Sequence, residues 1–459
     1  MGLRGPSAGG GRAGAIANWG GESALAIRWL PILGSAILAW VVAGLARRLG
    51  GGGFAQVFSA AVVVTAPYFL FAFHVLSMNF AEVLLWSLGA WLLLAALDGE
   101  RVWPWLALGL VVGVGLLTKH SLAAFLLPTA VGIVLAGRRD VLATWRPWLA
   151  AALAAALALP HVWWQAQHGW PVVEFASNAV RWKIAPTGSV AFLGALFGMM
   201  NVVAAPLLVG LGWWWLLGRR AGRSAAVLAW ICLVAVAVFL TQHGKPYYAT
   251  PAFPPLMAAG AVALERLTAT RAVWRLAATG LSTVVAALAL PFTLPLLPVD
   301  RFVAYSRALG VTVPSGERHE VAELPQHFAD MHGWEELAWT VSGVYLALPE
   351  AERPTARVFG RNYGQAAALE FYASRYPMPP VISGHNSYWL WGPGDAPDGT
   401  VIVIGGRASD LADVFEHVEE AARTRCRLCM PYQRDQPIFV GRGARVTLRE
   451  LWPRLKNFN

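Results

Sequence analysis

Long apolar runs separated by short polar turns dominate the first three hundred residues of this chain. They occupy 25–46, 54–73, 79–97, 102–118, 121–137, 148–166, 189–217, 225–241, 249–267 and 273–297. Runs of this length predict about ten membrane helices, the shorter ones tilted or broken. Only Thr118-Lys119-His120-Ser121 separates the fourth run from the fifth. Near residue 300 the pattern changes: Arg, Glu, Asp and His become frequent, and no further long run follows. Short apolar stretches at 356–359, 381–382, 401–404 and 438–440 read as strands, while 365–376 and 411–423 carry a helical period. The expected architecture is a Gly-rich segment (1–24), an α-helical multi-span membrane domain (25–299) and a small soluble α/β domain (300–459).

Composition agrees with this reading. Of 459 residues, 57% are hydrophobic and only 14% charged, and 23 are tryptophan. One alternate set of loops holds Arg47, Arg48, Arg101, Arg138, Arg139, Arg146, Arg219, Arg220, Arg223, Arg266, Arg271 and Arg275. The other set holds little beyond Lys119, Arg181, Lys183 and Lys245. The arginine-rich side is expected to be cytoplasmic, which puts the lysine loops and the C-terminal domain outside. The net charge of +10 is therefore mostly topological rather than a nucleic-acid footprint. With about ten spans the N-terminus is also outside, and no apolar run precedes residue 25. The expectation is that the natural chain begins earlier, with one more helix.

Cys232 lies within a span and reads as a packing residue. Cys426 and Cys429 form a lone C-x-x-C, which lacks the second ligand pair a zinc site needs. A local disulfide and two free thiols both remain open for it.

Four polar clusters fall on the expected outer side. His74-Val75-Leu76-Ser77-Met78-Asn79 precedes Glu82, which is three residues from Asn79 on the same helix face. A carboxylate inside a span is a functional candidate, with a structural hydrogen bond to a neighbouring helix as the plain alternative. His74 and Met78 on one loop are a weak metal pair. Lys119-His120 is either a site element or a lysine snorkelling to the interface. From Gln165 to Lys183, His168, Arg181 and Lys183 interleave with tryptophans, which suits an amphipathic segment in the headgroup layer better than a catalytic one. The fourth cluster is Gln242-His243-Gly244-Lys245-Pro246-Tyr247-Tyr248, a cation and two phenols between apolar runs. Lysine as a point charge with tyrosine hydroxyls is a chemical match for phosphate, here with a lipid tail against the spans. Gly50 to Gly53 form a turn without the strand context of a nucleotide loop.

These motifs resemble bacterial members of glycosyltransferase family 39, the dolichyl-phosphate-mannose-protein mannosyltransferase-like group, related to the lipid A aminoarabinose transferases. The resemblance lies in Gly21-Glu22-Ser23-Ala24-Leu25-Ala26-Ile27-Arg28, His74 to Asn79, Gly115 to His120, Gln167-His168-Gly169-Trp170-Pro171 and Lys245-Pro246-Tyr247-Tyr248 through Pro251. Asn362-Tyr363-Gly364, Gly384 to Tyr388 and Leu451-Trp452-Pro453 look like the tail of one bacterial subgroup. The resemblance implies the membrane GT-C fold and an inverting transferase with a polyprenyl-phosphate sugar as donor. It assigns Lys245, Tyr248 and Lys119 to the donor phosphate, with His74, Asn79, His120, His168, His243 and Tyr247 as further outer-face candidates.

One element of the family pattern is absent. The catalytic acid of its first outer loop has no counterpart here, and Glu22 matches a weaker acidic position. Asn79 stands where the family often has Asp, with Glu82 nearby as a compensating carboxylate. Glu82 and Glu22 are thus weak catalytic candidates. The reading is a transferase of the bacterial cytoplasmic membrane, acting on a protein, lipid or glycan acceptor. A non-catalytic scaffold and a transporter of lipid-linked sugar are the alternatives, although no internal repeat supports the latter. No metal-ligand set is legible, and a divalent ion remains open.

Overall fold

The computed structural model describes residues 24–185, 187–218, 220–242, 244–313, 317–318, 320, 322–394 and 399–459; Glu22 and His243 lie outside them. The chain divides into two compact units. The first takes in the chain to Gln167 together with Pro186–Leu296, and the second His168–Ala185 with Leu297–Asn459. The tryptophan-rich segment 168–185 is thus grouped with the C-terminal residues.

The first unit is helical. In chain order it holds α1 (Ala24–Arg48), α2 (Gly53–Val64), α3 (Pro67–His74), α4 (Met78–Leu97), α5 (Trp103–Thr118), α6 (Ala123–Leu135) and α7 (Arg146–Gln167). These are followed by α8 (Ser189–Gly198), α9 (Ala204–Leu217), α10 (Arg223–Thr241), α11 (Phe253–Leu267) and α12 (Ala272–Thr293). Ile27–Arg48, Met78–Leu97, Arg146–Gln167, Arg223–Thr241 and Ala272–Thr293 are long and apolar enough to cross a membrane. The chain is a multi-pass membrane protein. Only 17% of the apolar stretch is buried in both α7 and α12, so the protein leaves most of those surfaces to lipid.

The helices show where two of the expected runs break. The run at 54–73 is two helices bent by 66° at a break before Pro67. Proline lacks an N–H and disfavours helix at the residue before it, and Ala66 is accordingly extended, with ψ 133°. The run at 189–217 also breaks. Asn201 is 2% exposed, and its side-chain oxygen accepts from Val203 N at 3.2 Å and Ala204 N at 2.9 Å. That carboxamide caps α9 and stops the two pieces from joining. The helices Trp103–Thr118, His120–Leu135, Ser189–Gly198 and Ala204–Leu217 are each shorter than about 20 residues, the length of one straight crossing.

Small residues set the close crossings. A Cβ at Gly260 of α11 would overlap the Leu208 backbone of α9, and one at Gly212 the Leu256 carbonyl. Between membrane helices, such contact supplies the packing that water-driven burial supplies elsewhere. The Gly50–Gly53 turn has a structural task. The Glu265 carboxylate accepts from Gly52 N at 2.5 Å and Ala55 N at 3.3 Å, capping α2, and a Cβ at Gly52 would meet that carboxylate.

In the second unit a five-stranded sheet runs in the order β2-β1-β3-β5-β4. β1 (Arg357–Phe359) is parallel to β2 (Val381–Ile382) and β3 (Val401–Ile404). β5 (Pro437–Ala444) is antiparallel to β3 and to β4 (Phe415–Arg423). Strand alternation divides β3: Ile402 and Ile404 join a core with Leu337, Val341 and Leu369, while Val401 and Val403 join Phe415 and Phe439. The sheet corrects one expectation, since 411–423 is not a helix. Leu411, Phe415, Val418 and Ala422 have helical spacing in the sequence, yet Phe415–Arg423 pairs along β5 with a bulge at Glu420/Ala422. Backbone pairing and packing against a preformed strand override the local period. Cys426 and Cys429 form a disulfide, which settles the two readings of that motif.

Candidate functional site

The site begins where α4 starts and α5 ends. Ser77 caps α4, its hydroxyl accepting from Asn79 N at 3.3 Å, which places Asn79 and Glu82 on the first turn and a half. The last residue of α5 is Thr118, and Lys119 follows it in an extended conformation, with φ −154° and ψ 124°. From there the Lys119 ammonium donates to Glu82 Oε2 at 2.5 Å and to Asn79 Oδ1 at 2.9 Å. Ser121 Oγ donates to the other carboxylate oxygen, Glu82 Oε1. The Lys119 side chain is 11% exposed and that of Glu82 1%.

The aromatic wall comes from the segment after α10. Pro246–Ala252 is a 3₁₀ helix whose N-cap is Lys245, and the Lys245 carbonyl accepts from Tyr248 N at 3.0 Å. The turn points both phenol rings at one cation: Lys119 Nζ lies 5.2 Å from the Tyr247 ring centre and 5.1 Å from that of Tyr248. The two rings meet edge to face at 4.5 Å, and Tyr68 of α3 stacks on Tyr247 at 5.5 Å. Lys119 thus has anionic and amide oxygens on one side and aromatic faces on the other. A buried lysine needs such partners to stay charged.

Five of the residues singled out in the sequence, Glu82, Asn79, Lys119, Tyr247 and Tyr248, converge here. Lys245 is half-buried one residue before the turn. His74 ends α3, and its Nε2 is buried without a hydrogen-bond partner among the described residues. His120 turns to a different neighbour, His161 of α7, at 2.9 Å between Nε2 atoms. His168 is exposed and belongs to the second unit.

Sequence reasoning missed Ser121, Tyr68 and His161. Ser121 directly follows Lys119-His120, so adjacency was the available signal. Tyr68 sits unmarked in an apolar run. His161 and Gln165 are four apart on one helix, a spacing that puts both on the same face.

Three comparisons bear on the fold. Residues 14–164 match the dolichyl-phosphate-mannose-protein mannosyltransferase family. The chain is similar in structure to ArnT from Cupriavidus metallidurans bound to undecaprenyl phosphate, with 16% identity and a TM-score of 0.54 over 93% of this chain and 86% of that one. For the apo state of the same ArnT the identity is 16% and the TM-score 0.52, covering 93% and 85%. No curated protein sequence matches. The chain therefore has a GT-C-like fold shared with ArnT, with a small C-terminal sheet unit.

Proposed function

We propose that this protein is an integral membrane glycosyltransferase that moves a sugar from a polyprenyl-phosphate donor to an acceptor at the outer face of the bacterial cytoplasmic membrane, with the C-terminal unit on that side. The observation that carries this is Lys119, a charged ammonium held among Glu82, Asn79, Tyr247 and Tyr248 within an apolar helical unit. The matched family segment and the undecaprenyl phosphate bound by ArnT support the same ligand chemistry.

In the transfer, the bond from the anomeric carbon to the phosphate oxygen breaks while a bond to the acceptor oxygen forms. The acceptor proton passes to a base, and the polyprenyl phosphate leaves with an added negative charge. Cations and hydroxyls placed in a water-poor site stabilise that charge most effectively. Lys245 and the Tyr248 hydroxyl take this role, assisted by Lys119. Glu82 has both oxygens engaged, so its first task is to hold and neutralise Lys119; Glu22 is the other acidic candidate.

The test uses purified full-length protein in detergent. Saturable binding of undecaprenyl phosphate, followed by tryptophan quenching, is expected to weaken in Lys245→Ala and Lys119→Met. No binding by the wild type would overturn the proposal. The engaged state of Glu82 favours one second reading, a protein that binds the lipid phosphate without transferring sugar. It is distinguished by incubation with a polyprenyl-phosphate pentose or hexose: binding without acceptor-dependent release of polyprenyl phosphate supports the second reading.

A further inference from the structure

His120, His161 and Gln165 converge outside the Lys119 cluster. The Nε2 atoms of His120 and His161 are 2.9 Å apart, and the Gln165 side-chain amide nitrogen lies 3.2 Å from His161 Nε2. His161 and Gln165 are i and i+4 on α7, while His120 opens the turn between α5 and α6. Trp164 lies near parallel to the His161 ring, at 6.0 Å and 17°. Gln165 is only 6% exposed, so a polar amide is buried toward this point, while His120 is open to solvent.

A direct hydrogen bond between two imidazoles uses one Nε2 as donor and the other as acceptor. The same side chains serve a second purpose without rearranging the backbone. With both rings as the Nδ1–H tautomer, both Nε2 lone pairs face the gap. Two imidazoles on one tetrahedral zinc, each at about 2.0–2.1 Å, have their nitrogens about 3.3 Å apart. The gap here needs to open by only a few tenths of an ångström, within the reach of small side-chain rotations. Turning the Gln165 amide about its last bond brings its oxygen to the position of its nitrogen, and oxygen is a ligand atom. Among the described residues no group of three or more His, Cys, Asp or Glu gathers around one point, so this pair with its amide is a site of two strong ligands and one weak one.

We propose that His120 and His161, with Gln165 as a weaker third ligand, bind a first-row divalent metal ion, zinc foremost because neutral imidazole suits it. The remaining coordination positions take water or another oxygen ligand. Tautomerisation of one ring moves the proton between the histidines to its Nδ1 and leaves both Nε2 lone pairs for the ion. The proposal stands apart from sugar transfer, because its readout is metal binding.

The experiment titrates zinc, and cobalt as a spectroscopic probe, into tag-free full-length protein stripped with a chelator. The wild type is expected to bind one ion per chain, with cobalt absorption in the visible typical of nitrogen ligation. His120→Ala and His161→Ala each lower affinity at least tenfold, Gln165→Ala lowers it less, and His417→Ala, an exposed strand residue, leaves it unchanged. Thermal melting of each metal-free variant confirms that it is folded. Equal zinc affinity in wild type and the His120→Ala/His161→Ala double variant overturns the proposal, as does a change in melting temperature without any change in metal binding.

Discussion

Lys119 and Glu82 form a 2.5 Å ion pair, 37 residues apart in sequence, in which the carboxylate side chain is 1% exposed. Neither helix end explains the other. The α4 N-terminus presents the acid and the α5 C-terminus the base, and their meeting fixes how these two helices end together. Such a pair costs desolvation on both sides and is stable only with its hydrogen bonds complete, here from Asn79 and Ser121.

Removing one partner should therefore be much worse than removing both. Glu82→Gln leaves a buried ammonium without its counter-charge and is expected to lower stability by about 3–5 kcal/mol, whereas Glu82→Gln/Lys119→Met recovers much of that loss. Thermal unfolding in detergent across the double-mutant cycle measures it. Additive effects would show that the two side chains are not coupled.

Tyr248→Phe separates the ring from the hydroxyl. The ring 5.1 Å from Lys119 remains, so the fold should hold, with its melting temperature close to wild type. Affinity for undecaprenyl phosphate is expected to fall by roughly three- to tenfold, the loss of one hydrogen bond of about 1 kcal/mol. Tyr248→Leu should cost stability as well, because it removes the cation–π face.

At Gly260→Ala the new methyl would overlap the Leu208 backbone of α9. The two helices must separate, at an expected cost of about 1–3 kcal/mol. Gly210→Ala on the same helix as Leu208 meets nothing within 4 Å and serves as the control. Comparable melting temperatures for the two variants would argue against a close crossing.

In the second unit, His385 is 5% exposed and accepts a hydrogen bond at Nδ1 from Tyr363 N at 3.0 Å. Burial pushes its pKa below the ordinary histidine value, partly opposed by contacts with Asn459. Its folded pKa is depressed, so the unfolded chain binds more protons in the interval below about 6.5. The His385 contribution is complete above that value and is lost as pH falls through the folded pKa. Unfolding of wild type and His385→Gln between about pH 7.5 and 5 should show a steeper loss in the wild type; parallel curves would rule this contribution out.

The motifs that read as a subgroup tail also acquire a structural meaning. Asn362 caps the helix Tyr363–Tyr372, and Tyr363 meets His385 across 22 residues. Trp389 and Trp452 exchange indole-to-carbonyl hydrogen bonds, each at 2.9 Å. The motifs therefore act as clasps between distant segments of one unit, a role invisible in their separate spacings.

Hydrophobic run length determined, by itself, that the first three hundred residues belong to a membrane, because a bilayer demands long apolar helices. Four of the five strands were legible for a similar local reason, since short β-branched runs such as Val401-Ile402-Val403-Ile404 fit a buried sheet. The helix ends that build the site were not so legible. Whether 54–73 is one rod or two depends on Pro67 and on what packs at the bend, and the Phe415–Arg423 strand exists because β5 offers it an edge. Lys119 read in the sequence as either a site element or a snorkelling lysine, and its partners come from α4 and from the Pro246–Ala252 turn. Only tertiary structure decides that meeting, because electrostatic pairing and ring contact depend on distances in space that no spacing along the chain encodes.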